Sequence, residues 1–199
     1  ARVLEEAGAV VLAERRISAL TDNLKRGYET ELRVGCTPTL SLHALPQPIA
    51  DFARDNPSIR LDMRQAHSAL LAKMLHDGHV DLVIGPPEIA ARVPGTETVP
   101  LFSSPVVILA SRFHPLAGRK TITNQDLNDA RWILHQPGTG IREATDILLR
   151  RLGVNETLQA SELPSNMILA LLRLGDHLAA LPRYVLRNMD IAVSYTHLR

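Results

Sequence analysis

The sequence contains little cysteine and few aromatic residues, and it has no long apolar run. Its single cysteine, Cys36, excludes a disulfide within these 199 residues and fits a reducing compartment. No window approaches the roughly 18 consecutive apolar residues that a transmembrane helix needs. The first residues also lack the basic, apolar and small-residue order of a secretory leader. We therefore expect a cytoplasmic location and no membrane partner.

The charges are nearly balanced, because 22 lysines and arginines face 21 aspartates and glutamates. A nucleic-acid-binding domain usually has a clear basic excess, so these residues are not expected to form a DNA-binding surface themselves. Aromatic residues make up 4% of the chain, whereas 45% of all residues are hydrophobic. The composition therefore predicts one or two compact lobes with aliphatic cores.

The residue types that catalysis requires do not form a recognisable set in this sequence. Cys36 near a helix start could act as a nucleophile, but His43 lies seven residues further on, and we expect a buried, unreactive thiol. His76 and His79 flank a glycine at a helix end without a clear third ligand, so no metal site is expected. The GTG at 138–140 lacks the full dinucleotide-binding fingerprint. We expect neither an enzyme nor a bound cofactor.

Residues 1–28 follow a pattern that differs from the rest of the chain. Apolar residues recur at an alternating spacing of four and three, no proline interrupts them, and Gly27 is placed to end a helix. We predict one long helix whose apolar face needs a partner. Whether that face packs on its own domain or on a second copy stays open. The apolar stripe contains Val3, Ala7, Val10, Ile17, Leu24 and Tyr28.

From residue 32 onward, strand and helix patterns alternate. The strands LRVGC, SIRLDMRQ and VDLVIG come first, and the last of them has the unbroken apolar run of a buried parallel strand. One helix with an apolar face over 42–53 follows the first strand, and the helix SALLAKMLHDG, with Ser68 as its N-cap, follows the second. The strands TVPLFS and VVILAS are next, and RWILHQ, TLQASEL and HLAALP then alternate with the helices GIREATDILLRRLG and SNMILALLRLG. This order predicts two α/β lobes built on parallel sheets.

Each strand-to-helix turn carries a hydroxyl residue at or near the start of the helix. Ligands of open α/β sheets bind beyond the carboxyl ends of the strands, where helix N-termini offer unpaired N–H groups. The pattern fits a site for a small anionic ligand, but it also fits ordinary helix capping, which selects the same residue types. The residues are Thr37 or Thr39, Ser68, Thr139 and Ser165.

Two larger side chains have roles that depend on their surroundings. Arg142 follows Thr139 into a helix, where it either reaches an anionic ligand or forms a surface ion pair with Glu143 or Asp146. Trp132 lies in an apolar strand, and we expect it in a hydrophobic core.

Four stretches of the chain together resemble a known family. They are LRVGCTPTLSLHALPQPIADFARDNPSIRL, SALLAKMLHDGHVDLVIGPP, HPLAG and LALLRLGDHLAALPRYV. Their order and spacing resemble those of a LysR-type bacterial transcriptional regulator without its N-terminal winged helix-turn-helix. None of the four is specific alone, but the resemblance extends over nearly the whole chain.

The resemblance implies an α/β, two-lobed, periplasmic-binding-protein-like (type 2) fold with an N-terminal linker helix. It implies a small-molecule inducer held between the lobes, with no cofactor and no metal. It also implies a homodimer or homotetramer that binds DNA through the missing winged helix-turn-helix. The effector-binding residues that it implies are Thr37, Pro38, Thr39, Ser68, His135, Gly138, Thr139 and Asn166.

The resemblance further implies a division of the chain into four parts. Residues 1–29 are expected to form a dimerising linker helix, 30–108 the first effector-binding lobe and 109–187 the second. Residues 188–199 would be a truncated return to the first lobe or an artefactual tail. The chain also departs from the family, because His177 stands where a second glycine is usual. Without the closing strand and helix of the family, we expect this sequence to be poorly stable.

Two other classes of protein share the expected architecture. A solute-binding protein of a membrane transporter would have the same two lobes, but it would need a leader and no helix over residues 1–28. An enzyme on a two-lobed scaffold would need an ionisable pair in the cleft, and we find no convincing pair. The sequence therefore favours a transcriptional regulator and keeps the transporter protein as the alternative.

Overall fold

The computed structural model describes residues 11, 13–14, 17–18, 21–154 and 160–188, and for 187–188 it describes the backbone only. The chain divides into two compact units. Unit 1 consists of Ala1–Ser41 and Leu45–Thr98, and unit 2 consists of Leu42–Ala44 and Val99–Arg199. The domain limits expected from the sequence, including the tail from residue 188, stay a prediction.

Unit 1 is built on three parallel strands, β1 (Thr30–Cys36), β2 (Ile59–Gln65) and β3 (Leu82–Ile84). Their order is β2-β1-β3, with β1 in the centre. Thr30 pairs with Ile59 at one end of β1, and Cys36 pairs with Gln65 at the other. Because all three strands run in the same direction, their carboxyl ends lie at one edge of the sheet.

Helices precede, connect and follow these strands. The first, α1, is helical at 11, 13–14, 17–18 and 21–25, and it ends before Gly27, whose φ is +84°, as predicted. The rest of the long helix predicted over 1–28 lies outside the described residues. The others are α2 (Pro38–His43), α3 (Pro46–Asp55), α4 (Ser68–His76) and a 3-10 helix (Pro87–Arg92). The last two residues of α2, Leu42 and His43, are counted with unit 2.

The single helix predicted over 42–53 is wrong, because the chain breaks between α2 and α3. Pro46 has no amide hydrogen to donate to the preceding turn, and its ring clashes with the carbonyl four residues earlier. Proline is well tolerated at the first helical position, and Pro46 occupies that position of α3. The proline therefore both ends the first helix and starts the second.

The core of unit 1 depends on close contact between β1 and α4. A Cβ added at Gly35 would lie 2.8 Å from Leu71 Cδ2 and 3.2 Å from Val83 Cγ2. Leu71 is completely buried, with Ala72, Ile89 and Val93 packed around it. A side chain at position 35 would therefore push the helix away from the sheet.

The prediction that VDLVIG is a continuously buried strand is wrong. Only Leu82–Ile84 form β3, and Leu82 is 38% exposed. Among the described strands, β3 pairs with β1 alone, so its other edge has no neighbour. An apolar run indicates burial on both faces, but it does not show on how many sides a strand is paired.

Unit 2 contains a four-stranded sheet with the order β4-β7-β5-β6. The strands are β4 (Val106–Ala110), β5 (Arg131–His135), β6 (Ala160–Leu163) and β7 (His177–Pro182). Strand β5 is parallel to β6 and β7, whereas β4 is antiparallel to β7. The sheet is thus mixed rather than purely parallel. The helices are α5 (Asn124–Asn128), α6 (Gly140–Arg151), α7 (Ser165–Leu174) and a 3-10 helix (Arg183–Asn188).

The strand predicted at TVPLFS is absent, because residues 98–103 have no regular secondary structure. Val99, Leu101 and Phe102 are 67%, 65% and 54% exposed. The segment has the composition of a strand, but none of the described strands pairs with it. Composition predicts that a segment fits a sheet, and a strand forms only where a neighbour accepts its hydrogen bonds.

The core of unit 2 lies on both faces of its sheet. Trp132 and Leu134 point into one hydrophobic cluster and Ile133 into the other, as the two-residue period of a strand requires. Trp132 is completely buried, and its Nε1 donates to the carbonyl oxygen of Leu127 at 2.8 Å. The prediction that Trp132 belongs to the core is therefore confirmed.

Helix α6 buries a face that differs slightly from the predicted one. The sequence pattern placed Ile141, Ala144, Leu148 and Leu152 on the buried side. Leu148 and Leu152 are partly buried against the core, and the fully buried residues of α6 are Thr145 and Leu149. The Thr145 hydroxyl remains satisfied because it donates to the carbonyl oxygen of Ile141 at 2.8 Å. A threonine can thus be buried in a helix where a hydrophobicity count expects a polar surface.

Candidate functional site

The candidate residues of unit 1 lie at the carboxyl-terminal edge of its sheet. Strand β1 ends at Cys36 and α2 begins at Pro38, while β2 ends at Gln65 and α4 begins at Ser68. The backbone amide of Ala66 donates to the carbonyl oxygen of Cys36 at 3.1 Å, which holds the two turns together. The edge therefore brings together Thr37, Pro38, Thr39 and Ser68.

The two threonines of the first turn occupy different environments. Thr37 is half-buried, and its Cγ2 lies 3.8 Å from the position that a Cβ on Gly85 would take. Gly85 follows β3, so all three strand ends converge near Thr37. Thr39 is the second residue of α2 and is only 3% exposed. A Cβ at Gly85 would lie only 2.6 Å from Ile89 Cδ1, so the absence of a side chain lets this third turn pack against Ile89.

A hydrogen-bond network fixes the start of α2. The Ser41 hydroxyl donates to the carbonyl oxygen of Pro38 at 2.8 Å. The side-chain amide of Gln65, at the end of β2, donates in turn to the Ser41 oxygen. Sequence reasoning did not identify Ser41 or Gln65, although Gln65 is the last residue of a strand that ends at the candidate edge.

The prediction that Ser68 is the N-cap of α4 is wrong. The N-cap is His67, which has extended backbone angles of −75° and 158° and makes no side-chain capping bond. Ser68 is already helical, so its hydroxyl is not positioned to accept from the following amides. It donates instead to Glu88 Oε1 at 3.5 Å. Sequence reasoning missed Glu88, which follows β3 at the same sheet edge. The rule that ligands bind beyond the carboxyl ends of the strands could have identified it.

Cys36 is enclosed at the end of β1. Its exposed fraction is 1%, and burial raises the pKa of the thiol, while a hydrogen bond with Ser41 opposes the rise. A higher pKa means less thiolate at neutral pH, and thiolate is the reactive form. The expectation of a buried cysteine is confirmed, and the alternative of a thiol activated by the helix start is not supported.

In unit 2, His135 joins the end of β5 to the start of α7. The ring is 4% exposed, and its Nε2 lies 3.2 Å from the Ser165 hydroxyl. Ser165 is the first residue of α7, and the exposed Asn166 is the second. The structure therefore places three polar side chains where two parallel strands end.

The turn between β5 and α6 has the geometry of a capped helix. Gly138 has a φ of +78°, which a residue with a side chain rarely adopts. Thr139 is the N-cap, and its Oγ1 accepts from the Arg142 amide at 3.2 Å. The same hydroxyl donates to the carbonyl oxygen of Gln136 at 3.0 Å. The prediction of a hydroxyl residue at this helix start is confirmed.

Arg142 forms ion pairs within unit 2. Its Nε donates to Asp146 Oδ1 at 2.8 Å, and its Nη1 donates to Glu162 Oε1 at 2.6 Å and to the carbonyl oxygen of His135 at 2.9 Å. The hydrogen bond with Glu162 is the largest factor raising the guanidinium pKa, and burial opposes it. Of the two roles left open by the sequence, pairing with Asp146 is the observed one. Glu162, which adds the second carboxylate, was not anticipated.

Within the residues that the structure describes, no group of three or more histidine, cysteine, aspartate or glutamate side chains is arranged to hold a metal ion. No helix in that part of the chain is both long and apolar enough to cross a membrane.

The sequence relationships of the chain agree with this architecture. A profile of the LysR substrate binding domain matches residues 25–193, and the chain therefore belongs to that family. The transcriptional activator protein LysR of Escherichia coli K12 is 26% identical over 205 residues, covering 98% of this chain and 65% of that protein. The probable RuBisCO transcriptional regulator of Phaeodactylum tricornutum is 28% identical over 141 residues, covering 70% of this chain and 46% of that protein.

Solved structures define the fold. The regulatory domain of Synechocystis PCC6803 CcmR, in complex with 2-PG, is 23% identical with a TM-score of 0.65, covering 85% of this chain and 81% of that chain. The BenM effector binding domain with benzoate is 19% identical with a TM-score of 0.64, covering 86% of this chain and 78% of that chain. Full-length CbnR with its target DNA is 21% identical with a TM-score of 0.68, covering 100% of this chain and 69% of that chain. The fold is the expected α/β, type 2 periplasmic-binding-protein-like fold. The chain spans about half the length of the curated relatives that it matches.

Proposed function

We propose that the chain is the inducer-sensing region of a bacterial LysR-type transcriptional regulator and that it binds a small anionic metabolite. The observation that carries this proposal is the family match over residues 25–193. The relatives named above are regulators rather than enzymes, which fits the expectation that the chain has no catalytic activity.

The proposed effector-binding residues lie in two groups. In unit 1 they follow β1 and β2, and in unit 2 they follow β5 and β6, which are the strand ends that bind ligands in open α/β sheets. CcmR and BenM were solved with 2-PG and benzoate, and their small anionic ligands support the same class of effector here. The proposed residues are Thr37, Pro38, Thr39, Ser68, His135, Gly138, Thr139 and Asn166.

The proposed partners follow from the family rather than from these residues. A winged helix-turn-helix outside this sequence would bind DNA, in the cytoplasm, as part of a homodimer or homotetramer. CbnR supports this view, because it was solved at full length with target DNA and extends beyond the part matched by this chain. The alternative, a solute-binding protein of a membrane transporter, is not favoured, because the named relatives are regulators.

Sequencing the source gene across both ends of this chain tests the regulator directly. A winged helix-turn-helix of roughly 60 residues upstream of Ala1 is the expected result. A secretory leader in its place would overturn the proposal and establish the transporter-associated alternative.

Replacing Thr39 tests the proposed effector site. A calorimetric screen of small carboxylates, including benzoate and shikimate, is expected to identify a ligand of the whole regulator. Thr39→Ala should then weaken its binding by about 0.5–1.5 kcal/mol, the typical net contribution of one hydrogen bond. Thr39→Ser retains the hydroxyl and should bind nearly as tightly as the wild type.

The exposed Thr121 provides a matched control, because Thr121→Ala makes the same chemical change in the other unit. Equal affinities of Thr39→Ala, Thr121→Ala and the wild type would remove Thr39 from the site. If none of the carboxylates in the screen binds, the proposed class of effector is contradicted.

A further inference from the structure

Asn23 is a buried polar residue in a helix whose neighbouring described residues are exposed. Its exposed fraction is 0%, whereas Leu24 is 58% and Ile17 is 66% exposed. Among the described residues of α1, an amide rather than a large apolar side chain is thus buried. Burying an amide is unfavourable unless hydrogen bonds replace its contacts with water, so the partners of Asn23 need an explanation.

Arg60 of β2 supplies the main side-chain contact. Its Nη1 donates to Asn23 Oδ1 at 2.9 Å and lies 3.2 Å from Glu31 Oε1 of β1. The guanidinium therefore links the last turn of α1 to the two adjacent strands of the sheet. Among the described residues, Asn23 Nδ2 has no hydrogen-bond partner, so the side chain is held through its oxygen alone.

The backbone around Asn23 is fixed as well. Its carbonyl oxygen accepts from the amides of Arg26 at 3.0 Å and Tyr28 at 2.9 Å, which closes the end of the helix. Immediately afterwards, the Glu29 amide donates to the carbonyl oxygen of Ser58 at 2.9 Å. The helix end and the chain that leads into β1 are therefore both attached to the segment around the start of β2.

We propose that Asn23, through Arg60, is a positioning residue that fixes the direction of α1 relative to β1 and β2. Apolar contacts are non-directional, so a helix held only by them can rotate or slide at little cost. A guanidinium–amide hydrogen bond requires a defined distance and angle, and misalignment leaves the buried Asn23 oxygen unpaired. The Asn23–Arg60 contact is therefore suited to selecting one helix direction.

This inference concerns contacts within unit 1 and does not need a ligand. Its regulatory consequence does rest on the proposed function. If the chain is the sensing region of a regulator, any displacement of the strands β1 and β2 would be carried into α1 as a change of direction, because helix and sheet are joined at Asn23.

Electron paramagnetic resonance distances test the inference in the full chain. Spin labels are attached at Ile17→Cys on α1 and Asp55→Cys at the end of α3, both exposed in the wild type. The buried native thiol is removed by Cys36→Ala, and labelled protein is diluted with unlabelled protein to suppress distances between copies. A single narrow distance distribution is expected with Asn23 present.

Asn23→Leu separates positioning from stability. Leucine keeps an apolar contact at the buried position and removes both the acceptor of Arg60 and the unpaired Nδ2. The melting temperature should stay the same or rise, while the distance distribution should broaden or split. Arg60→Met removes the same hydrogen bond from the other side and should broaden the distribution as well.

Two variants complete the test. Asn23→Asp keeps an oxygen acceptor for Arg60 and should retain the narrow distribution, and the exposed Leu24→Ala should retain it too. The inference is overturned if Asn23→Leu and Arg60→Met keep the narrow distribution, or if Leu24→Ala broadens it equally. Because no effector or DNA is present, these results are independent of the experiments on the proposed function.

Discussion

His114 is enclosed in unit 2, and its position determines its tautomer. The ring is 6% exposed, and its Nδ1 accepts from the backbone amide of Leu116 at 3.1 Å. The proton of the neutral ring must therefore lie on Nε2. Burial is the main cause that lowers the pKa of His114; Asp176 favours the charged form and His177 disfavours it.

The lowered pKa of His114 predicts a loss of stability in mild acid. Below pH ~6.5 the unfolded chain binds a proton that the folded ring binds less readily, so stability falls as the pH decreases through the folded pKa. His114→Asn keeps an acceptor for the Leu116 amide but does not titrate. Chemical denaturation from pH 8 to pH 5 should show a shallower pH dependence in this variant, by at most about 1.4 kcal/mol per pH unit.

Other titrating groups set the controls for the His114 experiment. Burial also lowers the pKa of His43, so some acid sensitivity should remain in His114→Asn. An unchanged pH dependence in His114→Asn would show that the titration of this ring does not contribute to the pH dependence of stability.

Single residues differ in how well the sequence predicts them. Trp132 was predictable, because a large aromatic residue in an apolar strand has few environments other than a core. The N-cap of α4 was placed one residue too late, at Ser68 rather than His67, because the sequence indicates a polar helix start but not the exact residue that caps it. Asn23 gave no signal, since a polar residue in a helix normally faces water and only the fold brings Arg60 to it.

At the scale of elements, unit 1 depends on the contact between β1 and α4. The short distance from Gly35 to Leu71 requires the absence of a side chain on β1. Such a requirement is not visible in the sequence pattern, which shows only that a strand and a helix are present. The break between α2 and α3, in contrast, could have been predicted from Pro46, because a proline disrupts a helix through its own backbone, whatever its tertiary contacts.

Gly35→Ala should destabilise unit 1. The new methyl group would meet Leu71 Cδ2 at 2.8 Å, and overpacking of this kind costs about 1–3 kcal/mol. Urea denaturation monitored by circular dichroism would measure the change in the free energy of unfolding.

Leu71→Val provides the partner variant for Gly35→Ala, because valine lacks the methyl group that the new side chain would meet. The double variant should lose less stability than the sum of the two single variants, because the sites are in contact. Strict additivity would show that β1 and α4 are not packed as closely as the structure indicates.

For the whole molecule, the two units have separate hydrophobic cores. Leu71 belongs to a cluster of unit 1, whereas Trp132 and Ile168 belong to two clusters of unit 2. The alternation of strands and helices allowed two α/β lobes to be predicted, and the family resemblance supplied the fold. The mixed sheet of unit 2 was not predicted, because strand order and direction are set by long-range pairing.

Leu71→Ala should affect one unit more than the other. Truncation of a buried leucine typically costs about 2–5 kcal/mol, and here the lost contacts are confined to unit 1. Hydrogen exchange measured by mass spectrometry should therefore accelerate mainly in peptides from β1 and α4. Peptides from β5 and β7 serve as the internal control, and equal acceleration there would indicate one cooperative folding unit.

The ion pairs of Arg142 have a consequence for ionic strength. The guanidinium binds Asp146 and Glu162, so the turn between β5 and α6 has no excess positive charge to attract an anion from a distance. An anion at this turn would meet short-range dipoles, namely the backbone amides of the first turn of α6. Dissolved salt screens long-range attraction between charges far more than it weakens hydrogen bonds within contact distance. Ligand capture at this turn would therefore proceed at nearly the same rate in dilute and in concentrated salt.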